Sequence, residues 1–318
     1  MIRDIQAGDK IVAFFVLRKK EIRTKRETGE IYLSVELVDA SGRISGSLWE
    51  APQPAYQAVE KGDVVKVKGT AISYKERLHL SIEKLRGVTS RDRVEAEQLV
   101  PASDTDLQTL VERLEKLVAS VHEPFLKRLL DDVLQDPQLR TGLQHAPGGK
   151  LWHHNYLRGL LEHTVSVATL VDKIAAHYPA ANRDLLVTAA LLHDIGKVDS
   201  YRYDTLIEYT DAGRLLGHIV LGSQIVQRKI DSIDGFPMQL AMELQHLVLS
   251  HQGKLEQASP VVPMTLEGLI LYYADELDSK TNAFQRVQRK EGKQAWSSYV
   301  KLLDQFFYFG SDSPADGD

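Results

Sequence analysis

The sequence contains no cysteine, so it can form neither a disulfide nor a thiolate metal site. Any metal ion must therefore be bound by His, Asp or Glu side chains. The sequence also lacks a long hydrophobic run, because the first strongly apolar stretch, 11–17, is far too short to cross a bilayer. No signal peptide with an apolar segment and a small-residue cleavage site is recognisable. These absences favour a cytoplasmic protein that does not bind membranes.

The charge of the 318 residues is unevenly distributed along the chain. Residues 1–90 hold 16 Lys and Arg against 12 Asp and Glu, a balance of +4, whereas the remainder holds 23 against 32, a balance of −9. The length is sufficient for two domains, and the composition is typical of a globular protein. A basic first part on an acidic second part indicates a polyanion-binding module, or a chance imbalance on solvated surfaces.

Residues 1–88 have the pattern of an all-β domain. Short apolar or alternating runs predict five strands with one helix between the third and the fourth strand. The strands are predicted at 11–17, 30–39, 44–49, 64–74 and 78–85, and the helix at 54–61. This order is that of an OB-fold barrel, which commonly binds single-stranded nucleic acid.

A strongly basic segment, 18–28, is predicted as the first loop of this barrel. Its basic side chains are interpreted as phosphate contacts, with a solvated charge run as the alternative. These residues are Arg18, Lys19, Lys20, Arg23, Lys25 and Arg26. Five aromatic residues are interleaved with the strands, and one or two of them are expected to stack on bases while most fill the barrel core. They are Phe14, Phe15, Tyr32, Trp49 and Tyr74.

The rest of the chain is predicted to be helical. Residues 89–150 form a linker followed by a helical connector, with helices at 105–121 and 125–134. The second domain, 151–310, is expected to be all-α and to end in an apolar helix that contains Trp296, Tyr299 and Phe306. Residues 311–318 are small and acidic and are predicted to be a disordered tail.

Several helices of the second domain each carry an inward-facing His or Asp. The best defined is the run LLVTAALLHDIGKVD, 185–199, in which an apolar helix ends at a His-Asp pair. In chain order the polar residues are His163, His193, Asp194, His218, His251 and Asp275. Burying these groups without partners would cost roughly 1–3 kcal/mol each. A shared divalent metal ion is therefore predicted, because imidazole and carboxylate are both good ligands.

This ordered set resembles the HD phosphohydrolase superfamily, and HDIGK, 193–197, matches its signature. The resemblance implies that one metal ion is held by the residues His163, His193, Asp194 and Asp275. A second ion, where present, would be bridged by Asp194 and bound by His218 and His251. Some members have two adjacent histidines where this chain has His251-Gln252. The sequence therefore does not decide which residues complete the ligands of the second ion. His246 is off this helical face and is predicted to be structural.

The resemblance also implies a role for Lys197, which matches a lysine that lies near the substrate phosphate in many members. The alternative is an ordinary lysine that complements a helix dipole. Asp194 and Lys197 are the predicted catalytic residues. The metal is one or two divalent ions, Mn²⁺, Co²⁺, Fe²⁺, Mg²⁺ or Zn²⁺, with Mn²⁺ favoured by the resemblance.

The OB-fold, connector and HD domain together resemble the YhaM-type 3′-5′ exoribonucleases of bacteria, as does the segment GGKLWHHN at 148–155. His153 and His154 would line the mouth of the site or cap a helix on the surface. The resemblance implies hydrolysis of single-stranded RNA to nucleoside 5′-monophosphates, with DNA as an alternative substrate.

Two alternatives remain open from the sequence. The first is an HD phosphohydrolase or phosphodiesterase of small nucleotides whose OB domain has a regulatory role. The second is a non-catalytic nucleic-acid-binding protein with a structural metal ion. The sequence does not identify the oligomeric state or the biological target.

Overall fold

The computed structural model describes residues 1–74, 77–150, 153–292, 294–301 and 303–310. These residues form two compact units. The first holds Met1–Ala102 together with Arg202–Glu208, and the second holds Ser103–Tyr201 together with the chain from Tyr209 onward. The predicted disordered tail, 311–318, lies outside the described residues.

The first unit is a closed five-stranded barrel with the strand order β1-β2-β3-β5-β4. All neighbouring strands are antiparallel except β3 and β5, which pair in parallel. A short helix, α1 (Pro52–Gln57), connects β3 and β4. The strands are β1 (Lys10–Thr24), β2 (Ile31–Asp39), β3 (Gly42–Leu48), β4 (Val64–Tyr74) and β5 (Arg77–Gly87). This architecture confirms the predicted OB-fold barrel.

The barrel interior is filled by alternate residues of the strands. Leu33, Val35 and Leu37 of β2 point into the same core as Val65 and Val67 of β4. This alternation is the period-2 pattern that the sequence predicts for half-buried strands. Gly69 lies at a register shift between β4 and β5, where an added Cβ would approach the carbonyl oxygen of Ser81 to 2.4 Å.

The prediction that 18–28 is a loop is wrong for its first seven residues. β1 continues to Thr24, pairing with β4 through Lys10–Val16 and with β2 from Val16 onward. A bulge between Leu17 and Lys19 accompanies the change of partner. Every strand of a closed barrel pairs on both sides, and β1 is long because its first half pairs with β4 and its second half with β2. The turn itself comprises only residues 25–30.

The second unit is mainly helical. Its helices in chain order are α2 (Leu107–Ala119), α3 (Pro124–Gln135), α4 (Pro137–His145), α5 (Gly159–His177), α6 (Arg183–Leu192), α7 (Lys197–Ser200), α8 (Asp211–Leu215), α9 (Gly217–Asp231), α10 (Met238–Ser250) and α11 (Leu266–Glu291). None of the described helices combines the length and apolar character that a membrane span requires. The multi-domain fold, a β-barrel followed by a helical domain, is confirmed.

The helix α4 was not predicted, because Pro137 reads as a helix stop after α3. In the structure Pro137 is the first residue of a new helix. The N–H that proline lacks would have no partner within the helix at this position. Asp136 caps this helix by accepting from the amides of Gln138 and Leu139.

The helical domain is predicted from residue 151, but its first helix, α5, begins at Gly159, and Leu151 and Trp152 lie outside the described residues. The preceding segment folds back, so that the amide of Gly148 donates to the carbonyl of His154. An added Cβ at Gly159 would lie 2.1 Å from that same carbonyl oxygen, which requires glycine there.

The predicted apolar helix near residue 300 is also wrong. Antiparallel bridges join Trp296 to Tyr308 and Val300 to Gln305 in the described part of this segment. Its aromatic and β-branched residues favour extended backbone, which this pairing uses. A further two-stranded sheet joins β6 (Tyr201–Arg202) to β7 (Glu208–Tyr209).

The centre of the helical unit is formed by α5, α6 and α11. Every residue of α6 from Leu185 to Leu192 is buried, as its continuous apolar run predicts. α5 packs along α6 with residues such as Leu160 and Val167 fully buried. This packed core holds the ends of the polar-bearing helices in fixed positions.

Candidate metal centre

Six of the predicted site residues meet in one buried pocket of the helical unit. His163 lies near the start of α5, and His193 and Asp194 follow directly after α6. The other three are His218 at the start of α9, His251 at the end of α10, and Asp275 on α11. All are buried except His218, whose side chain is 25% exposed.

Asp194 is at the centre of the pocket, and its two carboxylate oxygens face different sets of side chains. Oδ2 lies 3.3 Å from Nε2 of His163 and 3.4 Å from Nε2 of His193. Nε2 of His163 is in turn 3.2 Å from Oδ1 of Asp275. The ligand atoms of His163, His193 and Asp194 are close enough for one ion to contact all three, and Asp275 adjoins them through His163.

The other oxygen of Asp194, Oδ1, faces the remaining histidines. It lies 3.4 Å from Nε2 of His218 and 3.6 Å from Nε2 of His251. Oδ1 of Asp194 and Nε2 of His218 are buried and have no hydrogen-bond partner. Buried polar atoms are rarely left without a partner, so a cation between them is chemically well suited.

The imidazole tautomers are set by groups behind the pocket. Nδ1 of His193 donates to the carbonyl of Ala190 at 2.8 Å, and Nδ1 of His251 donates to the carbonyl of Val248 at 2.7 Å. A carbonyl can only accept, so Nδ1 carries the proton and the Nε2 lone pair faces inward. This is the arrangement that holds metal-binding histidines in proteins.

The electrostatics of the pocket favour a bound cation. Burial lowers the pKa of His218 to about 3 and that of His251 to about 4, so both are neutral at pH 7. Burial would also lower the pKa of His163, but hydrogen bonds to Asp194, Asp275 and the nearby Asp278 raise it well above its usual value. The raised pKa of His163 shows that these carboxylates stabilise a positive charge in the pocket. The N and O donor set is compatible with a divalent metal ion.

Lys197, the second predicted catalytic residue, is buried beside this centre. Its Nζ lies 2.5 Å from Oδ2 of Asp194. The Lys197 ammonium thus forms a buried ion pair with the carboxylate of Asp194. It is not at a solvated helix C-terminus, as the alternative interpretation required.

Gly196 allows α9 to approach the residues after α6. An added Cβ would lie 2.0 Å from the carbonyl oxygen of His218 and 2.3 Å from the amide nitrogen of Gly222. Both are backbone atoms, which cannot move aside without shifting α9. The glycine of HDIGK therefore positions His218 against Asp194.

A hydrogen-bond network behind His163 was not predicted. Asp278 accepts from Nδ1 of His163 at 2.7 Å and lies 2.9 Å from Nε2 of His154. Ser166 also donates to Asp278, and Asn282 accepts from the amide of His154 at 3.0 Å. The sequence pattern that could have predicted the role of Asp278 is its i, i+3 spacing from Asp275, which places both residues on one face of α11.

His153 and His154 lie in different environments. His154 is buried within the network around Asp278, so the interpretation of a surface helix cap is wrong for this residue. The ring of His153 is 5.5 Å from that of His163, and its buried Nδ1 has no partner. Burial lowers the pKa of His153 to about 3, so it is neutral.

Two other polar residues near the pocket have defined contacts. The amide nitrogen of Gln252 lies 3.4 Å from Nε2 of His251, where some relatives would have a second histidine. Nε2 of His246 accepts from the amide of Met264 at 3.0 Å, which ties α10 to the segment before α11.

The predicted nucleic-acid contacts on the barrel do not form one free basic loop. Arg18 pairs with Glu36, and Lys19 and Arg23 both pair with Glu21. Lys25 and Arg26 are in the turn between β1 and β2 and are exposed.

Lys20 has a structural role in the barrel. Its side chain is only 9% exposed, and Nζ donates to the carbonyls of Tyr56 and Val59 at 2.8 and 2.5 Å. The ammonium also lies over the ring of Tyr56. Its hydrogen bonds are therefore already used inside the barrel, which argues against the predicted phosphate contact.

Aromatic side chains cover the outer surface of β2 and β3. The rings of Tyr32 and Trp49 are stacked with their centroids 4.5 Å apart, and Nζ of Lys25 is 6.0 Å from the Trp49 ring. On the neighbouring β5, His79 bonds Ser47 at 3.0 Å and lies 6.0 Å from the ring of Tyr74. Of the five predicted aromatics, Phe15 is in the core, whereas Trp49 and Tyr74 are exposed.

Comparison with known protein families identifies part of the helical unit. Residues 160–280 match the family model of the HD domain. The matched segment contains all six residues of the pocket, from His163 to Asp275, as well as Lys197 and Asp278.

Comparison with solved structures gives partial matches at low identity. A replication protein A heterotrimer bound to ssDNA is 19% identical over 28% of this chain and 65% of that chain, with a TM-score of 0.22. The second OB-fold domain of replication protein A from Methanococcus maripaludis is 21% identical over 30% and 97%, with a TM-score of 0.23. The HD domain of the L. monocytogenes phosphodiesterase PgpH is 21% identical over 47% and 75%, with a TM-score of 0.31.

Proposed function

We propose that this chain, whose residues 160–280 are an HD domain of the metal-dependent phosphohydrolase superfamily, is a 3′-5′ exoribonuclease acting on single-stranded RNA. The products would be nucleoside 5′-monophosphates. The observation that carries the proposal is the division of the Asp194 carboxylate between two groups of inward-facing imidazoles. The RNA preference and the 3′ polarity rest on the resemblance of the whole architecture to YhaM-type enzymes.

The residues that would hold a first divalent ion are His163, His193, Asp194 and Asp275, and those for a second are Asp194, His218 and His251. When bound, such an ion supplies a Lewis acid for a phosphate and lowers the pKa of water. Mn²⁺ is the ion we favour, on the family resemblance.

The chain itself contributes fixed charge and orientation around this centre. Lys197 keeps a buried ammonium within 2.5 Å of Asp194, where it would offset negative charge on the phosphate oxygens. His153 is neutral and has an unpartnered ring nitrogen next to His163, which suits a hydrogen bond to substrate. Asp194 faces both groups of imidazoles, and we assign it the central catalytic role.

The barrel is proposed to bind the RNA strand. Single-stranded nucleic acid is typically held by aromatic faces that stack on bases and by cations that contact phosphates. The stacked Tyr32 and Trp49 with Lys25 above them provide both elements on the strand 2 and strand 3 surface of an OB-fold.

The test is to incubate a 5′-labelled single-stranded RNA with the protein and Mn²⁺. A ladder that shortens from the 3′ end, with release of nucleoside 5′-monophosphates, is expected. Asp194→Asn should abolish the ladder and retain RNA binding. Intact RNA with cleavage of a small nucleotide or cyclic nucleotide would favour the small-nucleotide phosphohydrolase, and no hydrolysis of either would favour a binding protein with a structural metal.

A further inference from the structure

A basic site with an aromatic ring lies in the helical unit, on segments that lead to residues of the metal pocket. Nζ of Lys150 is 5.2 Å from the ring centroid of Tyr209, and the guanidinium carbon of Arg214 is 6.0 Å from the same centroid. Lys150 belongs to the loop after α4, Tyr209 ends β7, and Arg214 lies on α8. Three separate segments thus bring two cations to one aromatic ring.

Neither cation is neutralised within the described part of the chain. Lys150 and Arg214 have no carboxylate within ion-pair distance there, although Asp211 lies one turn before Arg214 on α8. Some other cations of this unit are paired, such as Arg183 with Asp172 and Lys229 with Asp136. A cation–π contact at a partly exposed site stabilises by only about 0.5–1 kcal/mol. The contact with Tyr209 therefore leaves the positive charges of Lys150 and Arg214 able to attract an anion.

Each of the three segments is connected to the proposed catalytic centre. The ring of Tyr209 packs on that of Tyr201 at 5.0 Å, and burial, Tyr209 and then the charge of Asp194 raise the pKa of Tyr201. Lys150 is three residues before His153, which faces His163. Arg214 is four residues before His218, which faces Asp194.

We propose that Lys150, Tyr209 and Arg214 form an anion subsite for the phosphate next to the scissile one on a bound strand. Lysine and arginine are the side chains that bind phosphate oxygens through charge-assisted hydrogen bonds. The ring of Tyr209 holds both cations near one point without neutralising them. This assignment rests on the proposed hydrolysis of a polynucleotide, since a substrate with one phosphate would have nothing to place there.

The test compares a dinucleotide, which has only the scissile phosphate, with a trinucleotide, which has one more. Both carry 5′-hydroxyl ends, and phosphorothioate versions that resist hydrolysis are used for binding by calorimetry. Replacing both cations, Lys150→Met with Arg214→Met, should weaken trinucleotide binding about tenfold or more. Dinucleotide binding should change less than about twofold.

Two control variants separate charge from folding. The charge-retaining pair Lys150→Arg with Arg214→Lys should keep most of the trinucleotide affinity. Lys173→Met, which removes an exposed lysine of α5, should change neither affinity. In hydrolysis assays the KM of the trinucleotide should rise in the Met variant with little change in kcat.

Equal losses for the two ligands, or no loss for either, would overturn the subsite. Failure of the proposed function looks different, because the unaltered protein would then hydrolyse neither ligand. The binding comparison decides on the subsite in that case as well.

Discussion

Oδ2 of Asp278 lies 2.7 Å from Nδ1 of His163, so a carboxylate one turn after Asp275 orients the imidazole that faces the metal pocket. Asp278 is itself fixed by Ser166 and by His154. The same helix therefore carries both a proposed metal ligand and the residue that aims a second one. This relationship makes Asp278 a positioning residue whose effect should be on metal affinity.

Asp278→Asn should lower the affinity for Mn²⁺ about 10–100-fold, because the amide is a weaker acceptor for Nδ1–H of His163. The affinity is measured by competition with a chelator of known strength, with circular dichroism as a check of folding. Asp172→Asn is the matched control, since Asp172 pairs with Arg183 far along α5 from His163. An unchanged affinity in Asp278→Asn would remove its positioning role.

The buried pair of Asp194 and Lys197 should show strong coupling in metal-free protein. Asp194→Asn leaves the ammonium buried without its partner, which should lower the free energy of unfolding by about 3–5 kcal/mol. Adding Lys197→Met should recover most of this loss. Urea denaturation in EDTA measures both. The helix pair of half-buried Glu276 and exposed Lys280 serves as control, with coupling below about 0.5 kcal/mol. A double variant no more stable than Asp194→Asn would contradict the prediction.

Lys20 and Lys25 both belong to the basic run 18–28, but Lys20 should affect the stability of the barrel and Lys25 the binding of RNA. Lys20→Met removes hydrogen bonds from a buried ammonium and should lower the stability of the barrel by about 2 kcal/mol. Lys25→Met should leave stability unchanged and reduce the slope of log affinity for RNA against log salt by about 1. Denaturation curves and salt titrations of RNA binding distinguish the two. A Lys20→Met protein with normal stability and a reduced salt slope would reverse these assignments.

Trp49→Ala should weaken the binding of single-stranded RNA by about 5–150-fold, because one stacked base is worth about 1–3 kcal/mol. Trp49 is 44% exposed and stacks on Tyr32 at the barrel surface. Trp296→Ala removes an equally large and more exposed ring from the helical unit and should have little effect. Fluorescence anisotropy with a labelled oligonucleotide gives the affinities. Equal effects of the two substitutions would place the RNA surface elsewhere.

Gly196→Ala should disturb the pocket through backbone, because the added Cβ would meet the carbonyl of His218 at 2.0 Å. We expect a loss of about 1–3 kcal/mol in the free energy of unfolding and weaker metal binding on the His218 side. Gly87→Ala is the control, since its Cβ would meet only Val59, at 3.9 Å. Metal titration of both variants checks the result, and a Gly196→Ala protein with normal stability would contradict the close packing.

The local pattern of the sequence was sufficient for much of the barrel and for the residues of the pocket. Alternating residues such as Leu33, Val35 and Leu37 identify a half-buried strand because side chains alternate between its faces. The apolar run that ends at His193 and Asp194 likewise identifies a buried helix with a polar end. These features depend on neighbours in the chain, so the sequence displays them directly.

The extent of some elements was not predictable from the same patterns. The basic residues of 18–24 look like a loop, yet they lie in β1 because barrel closure gives that strand two partners. The aromatic residues around Trp296 look like a helix face, yet they pair across the bridge to Tyr308. In each case the pairing of backbone segments, which the local charge or apolar pattern does not show, decides the structure.

The sequence by itself determined which side chains could bind a metal ion and which strands could form a barrel, since both follow from residue type and short-range periodicity. Only the tertiary structure decided that the two oxygens of Asp194 face different imidazoles, that Asp278 orients His163, and that Lys20 is held inside the barrel. Each of these relationships joins residues far apart in the chain, and the first depends on helices from four parts of the sequence. Packing of those elements fixes the distances and directions between polar atoms, and no local pattern encodes them.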